Sequence, residues 1–262
     1  MDEPIPWSKQ LRGRLAVGIR YGLTQPVSRR LPLSTLRQYH RLRRRMVPTR
    51  YTDANPCSLR WIDPTRITES LLESAPTYPQ WGRVVDGTWD REANLFSDRP
   101  VVRALKQRFE KGTPWEQTPL TEAYAEQLER FGNAWEHNSW GGFERRCAKI
   151  DALYDSLCEQ GYHRAGDREP QLTDSVASLI AEINVDIGRN GEFLWRGYGQ
   201  HRLAIAQLLA IESVPVVINR RHRQWQAVRD RLRTSDHAAQ PAPELREHPD
   251  LRELQECFSE QR

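Results

Sequence analysis

The spacing of apolar residues predicts helices along much of the first 160 positions. Apolar residues recur at four-residue steps over residues 7–23, which is typical of an amphipathic helix. A second helix is predicted over Leu33–Met46, because Ser34 is a helix-start signal and Pro48 prevents continuation. A short helix is expected over Arg66–Glu73. The same periodicity predicts helices over 99–110, 120–131 and 143–160.

Short apolar runs predict strands between and after these helices. The segment SLRWID is expected to be a strand that stops at Pro64. Residues 75–98 are expected to form a long loop or a small hairpin around 83–87, with Trp81 and Trp89 against the core. Farther along, strands are predicted over 182–186, 193–195 and 214–219, a turn over 188–191, and helices over 201–210 and near 225–232. This order predicts an α+β fold, with a small mixed sheet flanked by helices.

The charge pattern divides the chain into three parts. Residues 1–50 hold twelve basic residues against two acidic ones, whereas the whole chain has a net charge of only +4. We therefore expect a basic amphipathic helical arm over 1–50, a folded domain over 57–232 and a mostly disordered tail over 234–262. The tail contains one weak helix pattern near Leu251–Phe258. Such an arm can lie on an anionic membrane surface, contact nucleic acid, or dock on the chain's own acidic remainder.

Several classes of protein are disfavoured by the composition. No apolar run approaches the roughly 18 to 20 residues that a transmembrane helix needs, and residues 1–30 lack the apolar stretch of a secretory signal. We expect a cytoplasmic protein, peripheral at a membrane surface if the arm binds lipid. The four cysteines form no zinc-type spacing with the seven histidines, so no protein-bound metal is expected.

The candidate chemistry lies in a glycine turn between a strand pattern and a helix pattern. Gly197 and Gly199 allow the backbone to turn tightly, and the helix that follows begins with free amide groups. His201 and Arg202 add basic side chains at this helix start, where phosphate groups bind favourably. An ordinary tight turn that caps the helix is the alternative interpretation.

The surrounding segment resembles a known superfamily. The run IGRNGEFLWRGYGQHRLAIAQLLAIESVPVVI is similar to the core of the ParB/sulfiredoxin superfamily, in which a turn, a strand, a Gly-x-(His/Arg)-Arg box, a helix and an Ile-Pro-Val strand follow one another. Upstream, SLRWIDPTRI resembles the first strand of that superfamily, and VVRALKQRFEKG resembles the helix after it. The resemblance runs from about Cys57 to Arg220 and leaves residues 120–175 unmatched. It therefore implies that the domain over 57–232 carries a helical insertion at about 120–175.

Differences inside the box narrow the chemistry that the resemblance implies. Gln200 stands where sulfiredoxins carry their catalytic cysteine, so sulfinic acid reduction is disfavoured. Tyr198 stands where kinase-like members carry an aspartate, and a tyrosine is a poor base near neutral pH. Only about forty residues follow His222, without a helix-turn-helix pattern, which disfavours a centromere-binding role. The phosphate-binding part of the box is what the resemblance leaves intact.

The resemblance therefore implies a protein that binds a nucleotide or another phosphorylated small molecule. The expected ligand-binding residues are Gly197, Tyr198, Gly199, Gln200, His201, Arg202, Arg220, Arg221 and His222. If the protein is an enzyme, we expect a nucleotide-dependent phosphotransferase or hydrolase in which Arg202 neutralises phosphate charge and His201 is the donor or acid/base. Mg²⁺ would accompany a nucleoside triphosphate, although no carboxylate cluster identifies its ligands. A ParB-like nuclease is a weaker option. The alternative from another class is a non-catalytic protein that binds nucleic acid or an anionic surface through residues 1–50.

Overall fold

A mixed β-sheet forms the central layer of the computed structural model, which describes residues 31–73, 77, 80–135, 137, 139–164, 174–234, 245, 247–252 and 254. The predicted helix over 7–23 lies outside these residues. The described strands are β1 (Leu59–Ile62), β2 (Glu69–Ser70), β3 (Arg83–Val85), β4 (Asn94–Leu95), β5 (Ile183–Ile187), β6 (Phe193–Trp195) and β7 (Val214–His222). Their order is β1-β7-β5-β6-β2-β4, with β3 paired to β7 beside β1.

β5 and β6, at the centre of the sheet, are buried along their whole length. β5 and β7 pair in parallel, and β5 and β6 form an antiparallel pair joined by the turn at 188–191. β7 extends to His222, three residues beyond the predicted end. The extension occurs because β3 pairs with the last three residues of β7, Arg220, Arg221 and His222. The α+β prediction is confirmed.

Two expectations for the segment before residue 98 are wrong. Residues 66–73 do not form a helix: a 3₁₀ turn ends at Arg66, and Glu69–Ser70 pairs in parallel with β6. Ile67 and Leu71 are buried, but their spacing of four residues is compatible with a helix as well as with a strand, so the pairing with β6 decides the structure. Residues 83–85 form no hairpin, because they pair in parallel with the distant β7. Trp81 and Trp89 are buried, as predicted.

Helices cover both faces of the sheet. The helix prediction over Leu33–Met46 is confirmed to the residue. Gly112 ends the helix over Pro100–Lys111 in the left-handed conformation that a glycine cap adopts. The described helices are α1 (Leu33–Met46), α2 (Pro100–Lys111), α3 (Pro119–Phe131), α4 (Trp140–Gln160), α5 (Val176–Ile180), α6 (Gln200–Leu208) and α7 (Arg223–Thr234). Among the helices that the structure describes, none combines the length and apolar character needed to cross a bilayer.

The alternation of side chains along β5 and β7 creates two separate hydrophobic layers. Val185 and Ile218 face the larger layer, which is covered by α2, α3, α4 and α6. Val217 faces the opposite side, where Leu33 and Leu36 of α1 pack with Trp81. The helical insertion therefore belongs to the same core as the glycine turn, and α1 covers the other face of the sheet.

The described residues of the C-terminal segment are packed into the core. Asp250 and Leu251 are fully buried. The Asp250 carboxylate accepts hydrogen bonds from Arg221 and from Trp225 Nε1, and it forms an ion pair with Arg229. Because these partners come from β7 and α7, this stretch of sequence is held in place by charge as well as by Leu251 and Leu254, which pack in the hydrophobic core.

Three buried histidines make stability depend on pH. Burial lowers the pKa values of His40, His201 and His248 from 6.5 to about 4. The unfolded chain therefore binds protons before the folded protein as the pH falls through 6.5, and the free energy of unfolding decreases down to about pH 4.

We expect each of these histidines to contribute a slope of up to about 1.4 kcal/mol per pH unit in this window. Urea denaturation at a series of pH values measures the total slope. Replacing His248 with glutamine should make the slope shallower by the equivalent of about one proton. A free energy of unfolding that is constant between neutral pH and about pH 4 would contradict the burial of these rings.

Candidate functional site

The glycine turn is fixed by its contacts with β5. Gly197 and Gly199 have φ values of 89° and 73°, in the left-handed region that glycine favours. Gly199 is the N-cap of α6, and a Cβ atom built on it would lie 2.5 Å from the Cα atom of Ile183. Glycine is therefore required at 199 by close packing as well as by φ. This requirement supports the alternative interpretation for Gly199, which predicted a structural role in capping the helix.

A cavity of about 490 Å³ lies beside this turn. One wall is formed by the turn and the first residue of α6, and another by the first residues of α2. The helical insertion supplies the remaining walls. The described residues that line it are Arg99, Pro100, Val101, Leu120, Ala123, Gln127, Trp135, Arg146, Gly197, Tyr198 and Gln200.

The described lining residues give the cavity a positive charge. Arg99 and Arg146 are the charged residues among them, and no carboxylate is present in that set. The starts of α2 and α6 add the partial positive charge of helix N-termini. This combination favours an anionic ligand.

Both arginines are held against aromatic rings. The Arg99 guanidinium lies 4.5 Å from the centre of the Trp195 ring, and its buried Nε makes no hydrogen bond to any described residue. Burial lowers the pKa of Arg99 from its usual value, but an arginine remains charged near neutral pH. Arg146 lies 4.9 Å from the centre of the Trp135 ring. These contacts pre-position two cations with limited freedom.

Trp135 has an unusual backbone conformation at the cavity wall. Its φ of 47° is in the left-handed region, which a bulky residue seldom adopts. Its ring packs against Tyr124, with 5.6 Å between ring centres. Together with Tyr198 it gives the cavity an aromatic component beside the arginines.

The predicted residues around the turn divide into one group at the cavity wall and a second group, His201 and Arg202, outside its described lining. Gly197, Tyr198 and Gln200 line the cavity, and Gly199 lies between them. The backbone oxygen of Tyr198 accepts a hydrogen bond from Trp195 Nε1 at 2.8 Å, which fixes the turn against β6. The sequence prediction therefore located one wall of the cavity.

His201 and Arg202 follow this turn but are absent from the described lining. Burial, together with the nearby Arg146 charge, lowers the pKa of His201 to about 4, so its ring is neutral near pH 7. A neutral imidazole with this pKa is a poor general acid and a weak base. Its buried Nε2 makes no hydrogen bond to a described residue. This environment does not fit the acid/base role expected for His201.

Arg202 is engaged elsewhere. Its Nη1 donates to the backbone oxygen of His163 at 3.2 Å and lies 3.8 Å from the buried carboxylate of Glu182. Its guanidinium also lies over the Tyr162 ring. The expected role of Arg202 in neutralising phosphate is not supported by this geometry, because Glu182 already pairs with its charge.

The predicted contribution from the end of β7 is likewise separated from the cavity. Arg220 bonds to the buried Asp186 at 2.7 Å and to Glu73 at 3.0 Å, and Arg221 bonds to Asp250. His222 Nε2 lies 3.1 Å from the backbone oxygen of Gly87. None of the three is among the described residues of the cavity wall. The structure therefore does not place these three side chains in the cavity wall with the turn, because Asp186, Glu73, Asp250 and the Gly87 oxygen hold them elsewhere.

Arg99, Trp135 and Arg146 are the site residues that sequence reasoning missed. Arg99 directly precedes Pro100 at a helix start, and this Arg-Pro pair was the available signal for a basic group beside a helix N-terminus. Trp135 and Arg146 lie in the insertion, which matched nothing in the superfamily pattern. Their convergence on the turn depends on tertiary packing.

The cavity does not fit a protein-bound Mg²⁺. Its described lining contains no carboxylate, and the described residues include no group of three His, Cys, Asp or Glu side chains able to hold a metal ion. We assign no metal ligands to this site.

The chain matches no protein-family model, no curated protein and no solved structure.

Proposed function

We propose that the protein binds a nucleotide or another phosphorylated small molecule in the cavity beside the glycine turn. The observation that carries this proposal is that Arg99 and Arg146 both line a cavity whose described lining contains no carboxylate. The N-terminus of α6 at the same cavity provides amide donors of the kind that bind phosphate. α2 begins at Pro100, which has no N–H, so the start of this helix adds mainly partial positive charge.

The size and chemistry of the cavity support a ligand with both anionic and aromatic parts. A volume of about 490 Å³ lies within the range of roughly 300 to 1,000 Å³ typical of small-molecule sites. The arginines and helix starts suit phosphate oxygens, while Trp135 and Tyr198 offer rings on which a base can stack. A nucleotide combines these two chemistries in one molecule.

The order of elements supports the proposed relationship to the ParB/sulfiredoxin superfamily. β5, a turn, β6, the glycine turn, α6 and β7 follow one another along the chain, in the order that the resemblance implies. The cavity beside the box is consistent with an anion site there. In this proposal the helical insertion supplies Trp135 and Arg146, so the ligand is enclosed by residues outside the superfamily pattern.

The arrangement favours binding over catalysis. General base catalysis of phosphoryl transfer needs a side chain that accepts the proton of the attacking hydroxyl or water. The described lining contains no carboxylate, and His201 is neutral with a lowered pKa. We therefore propose a ligand-binding role and assign no catalytic residue.

A thermal-shift screen tests this proposal. Full-length protein is heated with ATP, ADP, CTP, GTP or inorganic pyrophosphate, with and without Mg²⁺. A ligand present at 100 times its dissociation constant adds about 2.7 kcal/mol of stability, which raises the Tm of a chain of this size by about 5–10 °C. Arg146→Gln should weaken binding by about 10- to 100-fold, because hydrogen bonds to charged groups are worth about 1.5–3 kcal/mol.

The neighbouring Arg145 provides a matched control. It is exposed and is not among the cavity-lining residues, so Arg145→Gln removes the same charge without changing the wall. If the ligand raised the Tm of Arg146→Gln and of Arg145→Gln by the same amount, the ligand would bind outside this cavity. No shift with any of the five compounds would refute the proposed nucleotide site.

A further inference from the structure

Helix α1 presents a second surface that the cavity does not involve. Its inner face packs on the sheet through Leu33, Leu36 and His40, all of which are buried. Docking on the chain's own remainder, one of the three roles considered for the arm, therefore accounts for this inner face. The outer face remains to be explained.

Three apolar side chains form a stripe along that outer face. Tyr39, Leu42 and Met46 are 39%, 56% and 66% exposed. Their spacing of three and four residues places them on one side of a helix, about one turn apart. Single exposed apolar residues are normal on a protein surface, but a row of three on one helix forms a continuous patch.

Arginines flank this stripe. Arg41 and Arg45 are exposed, lie one turn apart, and make no ion pair with a described residue. Arg50 is exposed just after the helix. No acidic residue occurs between positions 31 and 52, so this basic surface lacks local neutralisation in the sequence.

Two other arginines of α1 are turned toward the folded domain. Arg43 Nε donates to the Tyr51 hydroxyl at 3.1 Å, and its guanidinium lies 5.4 Å from the centre of the same ring. Arg44 is half-buried on the side of Asp53. An internal hydrogen bond thus accounts for Arg43, and Arg44 is partly buried near Asp53, whereas Arg41 and Arg45 are exposed to solvent.

We propose that the outer face of α1 binds the surface of an anionic phospholipid membrane. A stripe of apolar side chains with arginines beside it is the arrangement of interfacial helices, whose apolar residues enter the headgroup region while the cations meet lipid phosphates. An interface for nucleic acid places cationic and polar side chains against phosphates and bases, and it has no use for exposed Leu42 and Met46 at its centre. The apolar stripe therefore decides between the two partners.

This surface is independent of the proposed ligand cavity, because α1 covers the opposite face of the sheet from the insertion. The sequence before it repeats the same combination of features: over residues 7–23 apolar residues recur at four-residue steps among basic ones. Membrane binding through α1 would therefore leave the cavity on the side of the sheet that faces away from the bilayer.

Co-sedimentation of the full-length protein with lipid vesicles tests the proposal. One set of vesicles is pure phosphatidylcholine, and the other contains about one third phosphatidylserine. The protein should bind the anionic vesicles preferentially, and binding should weaken as salt is raised. Arg41→Gln with Arg45→Gln should reduce the affinity by about 30-fold. Leu42→Ser with Met46→Ser should reduce it by at least about tenfold.

Matched variants on other surfaces serve as controls. Leu72 and Leu95 are 77% and 54% exposed, so Leu72→Ser with Leu95→Ser removes similar apolar area elsewhere. Arg103 and Lys106 are exposed on α2, and Arg103→Gln with Lys106→Gln removes two charges there. Both control pairs should bind vesicles like the unmodified protein. All variants change exposed residues, and far-ultraviolet circular dichroism checks that they fold.

Three results would overturn the proposal. The first is no binding to anionic vesicles. The second is undiminished binding by the Leu42→Ser, Met46→Ser variant, which would place the lipid contact outside α1. The third is duplex DNA binding that both α1 variants weaken while vesicle binding is unaffected, which would identify nucleic acid as the partner of this face.

Discussion

Replacing Asp250 with asparagine is expected to lower the free energy of unfolding by about 3–5 kcal/mol, the usual cost of removing one partner from a buried ion pair. Asp250 is fully buried, and its carboxylate is shared by Arg221, Arg229 and Trp225. A neutral amide would leave two buried guanidinium groups facing each other with less compensation. Urea denaturation followed by tryptophan fluorescence measures the change.

The same network links three distant parts of the chain. Arg229 forms ion pairs with Asp53, at 2.9 Å, and with Asp250. It therefore joins the segment after α1 to the C-terminal segment. Burial alone would raise the pKa of Asp250, but the two arginines together hold it below its usual range. The stability that this carboxylate contributes is therefore present above its unfolded pKa of 3.8 and is lost as the pH falls further.

Glu247 provides the control for Asp250. It also pairs with an arginine, Arg252, but it is 83% exposed in that ion pair. Glu247→Gln should change the free energy of unfolding by less than about 0.5–1 kcal/mol. If Asp250→Asn were as stable as Glu247→Gln, the C-terminal segment would not be anchored in the way described.

Gly199→Ala is expected to be the second strongly destabilising change, at about 2–5 kcal/mol. Part of this cost, about 1–2 kcal/mol, comes from placing an alanine in the left-handed conformation. The rest comes from the backbone of β5, since the added Cβ would lie 2.5 Å from Ile183 Cα and 2.8 Å from the Glu182 oxygen. Backbone atoms of a central strand cannot move aside as a flexible side chain can.

Gly112→Ala separates these two contributions. Gly112 has a φ of 69°, similar to the 73° of Gly199, but no atom lies within 4 Å of a Cβ built there. Its replacement should cost only the conformational part, about 1–2 kcal/mol. Equal losses of stability in the two variants, compared by thermal or urea denaturation, would argue against a close approach of the turn to β5.

Local pattern was sufficient to predict the elements with strong periodicity. Apolar spacing located α1, α2, α3 and α4, and the short apolar runs located β5, β6 and the start of β7. The failures have physical causes. Glu69–Ser70 is a strand because β6 lies beside it, and β3 pairs with a strand more than 130 residues away. Neither partner is visible within a local window.

The candidate site was only half predictable for a similar reason. The glycines signalled the turn because their conformational freedom is a property of the residue itself. Basic residues near the turn were assumed to serve a ligand, but buried carboxylates at Glu182, Asp186 and Asp250 pair with Arg202, Arg220 and Arg221. Arg99 and Arg146 instead reach the cavity from helices that fold against the turn. Which arginines pair with these carboxylates, and which line the cavity, is decided by tertiary structure.

The most direct test of the proposed binding function is the dissociation constant of the best nucleotide measured by isothermal titration calorimetry. Full-length protein should bind one molecule per chain. Arg99→Gln with Arg146→Gln should abolish measurable binding or weaken it by at least about 100-fold, whereas Arg103→Gln with Arg145→Gln, which removes two exposed charges away from the cavity wall, should leave it unchanged. Two results would contradict the proposal that this cavity binds a phosphorylated ligand. One is equal binding heat in the two double variants, and the other is no binding heat from the unmodified protein with any nucleotide.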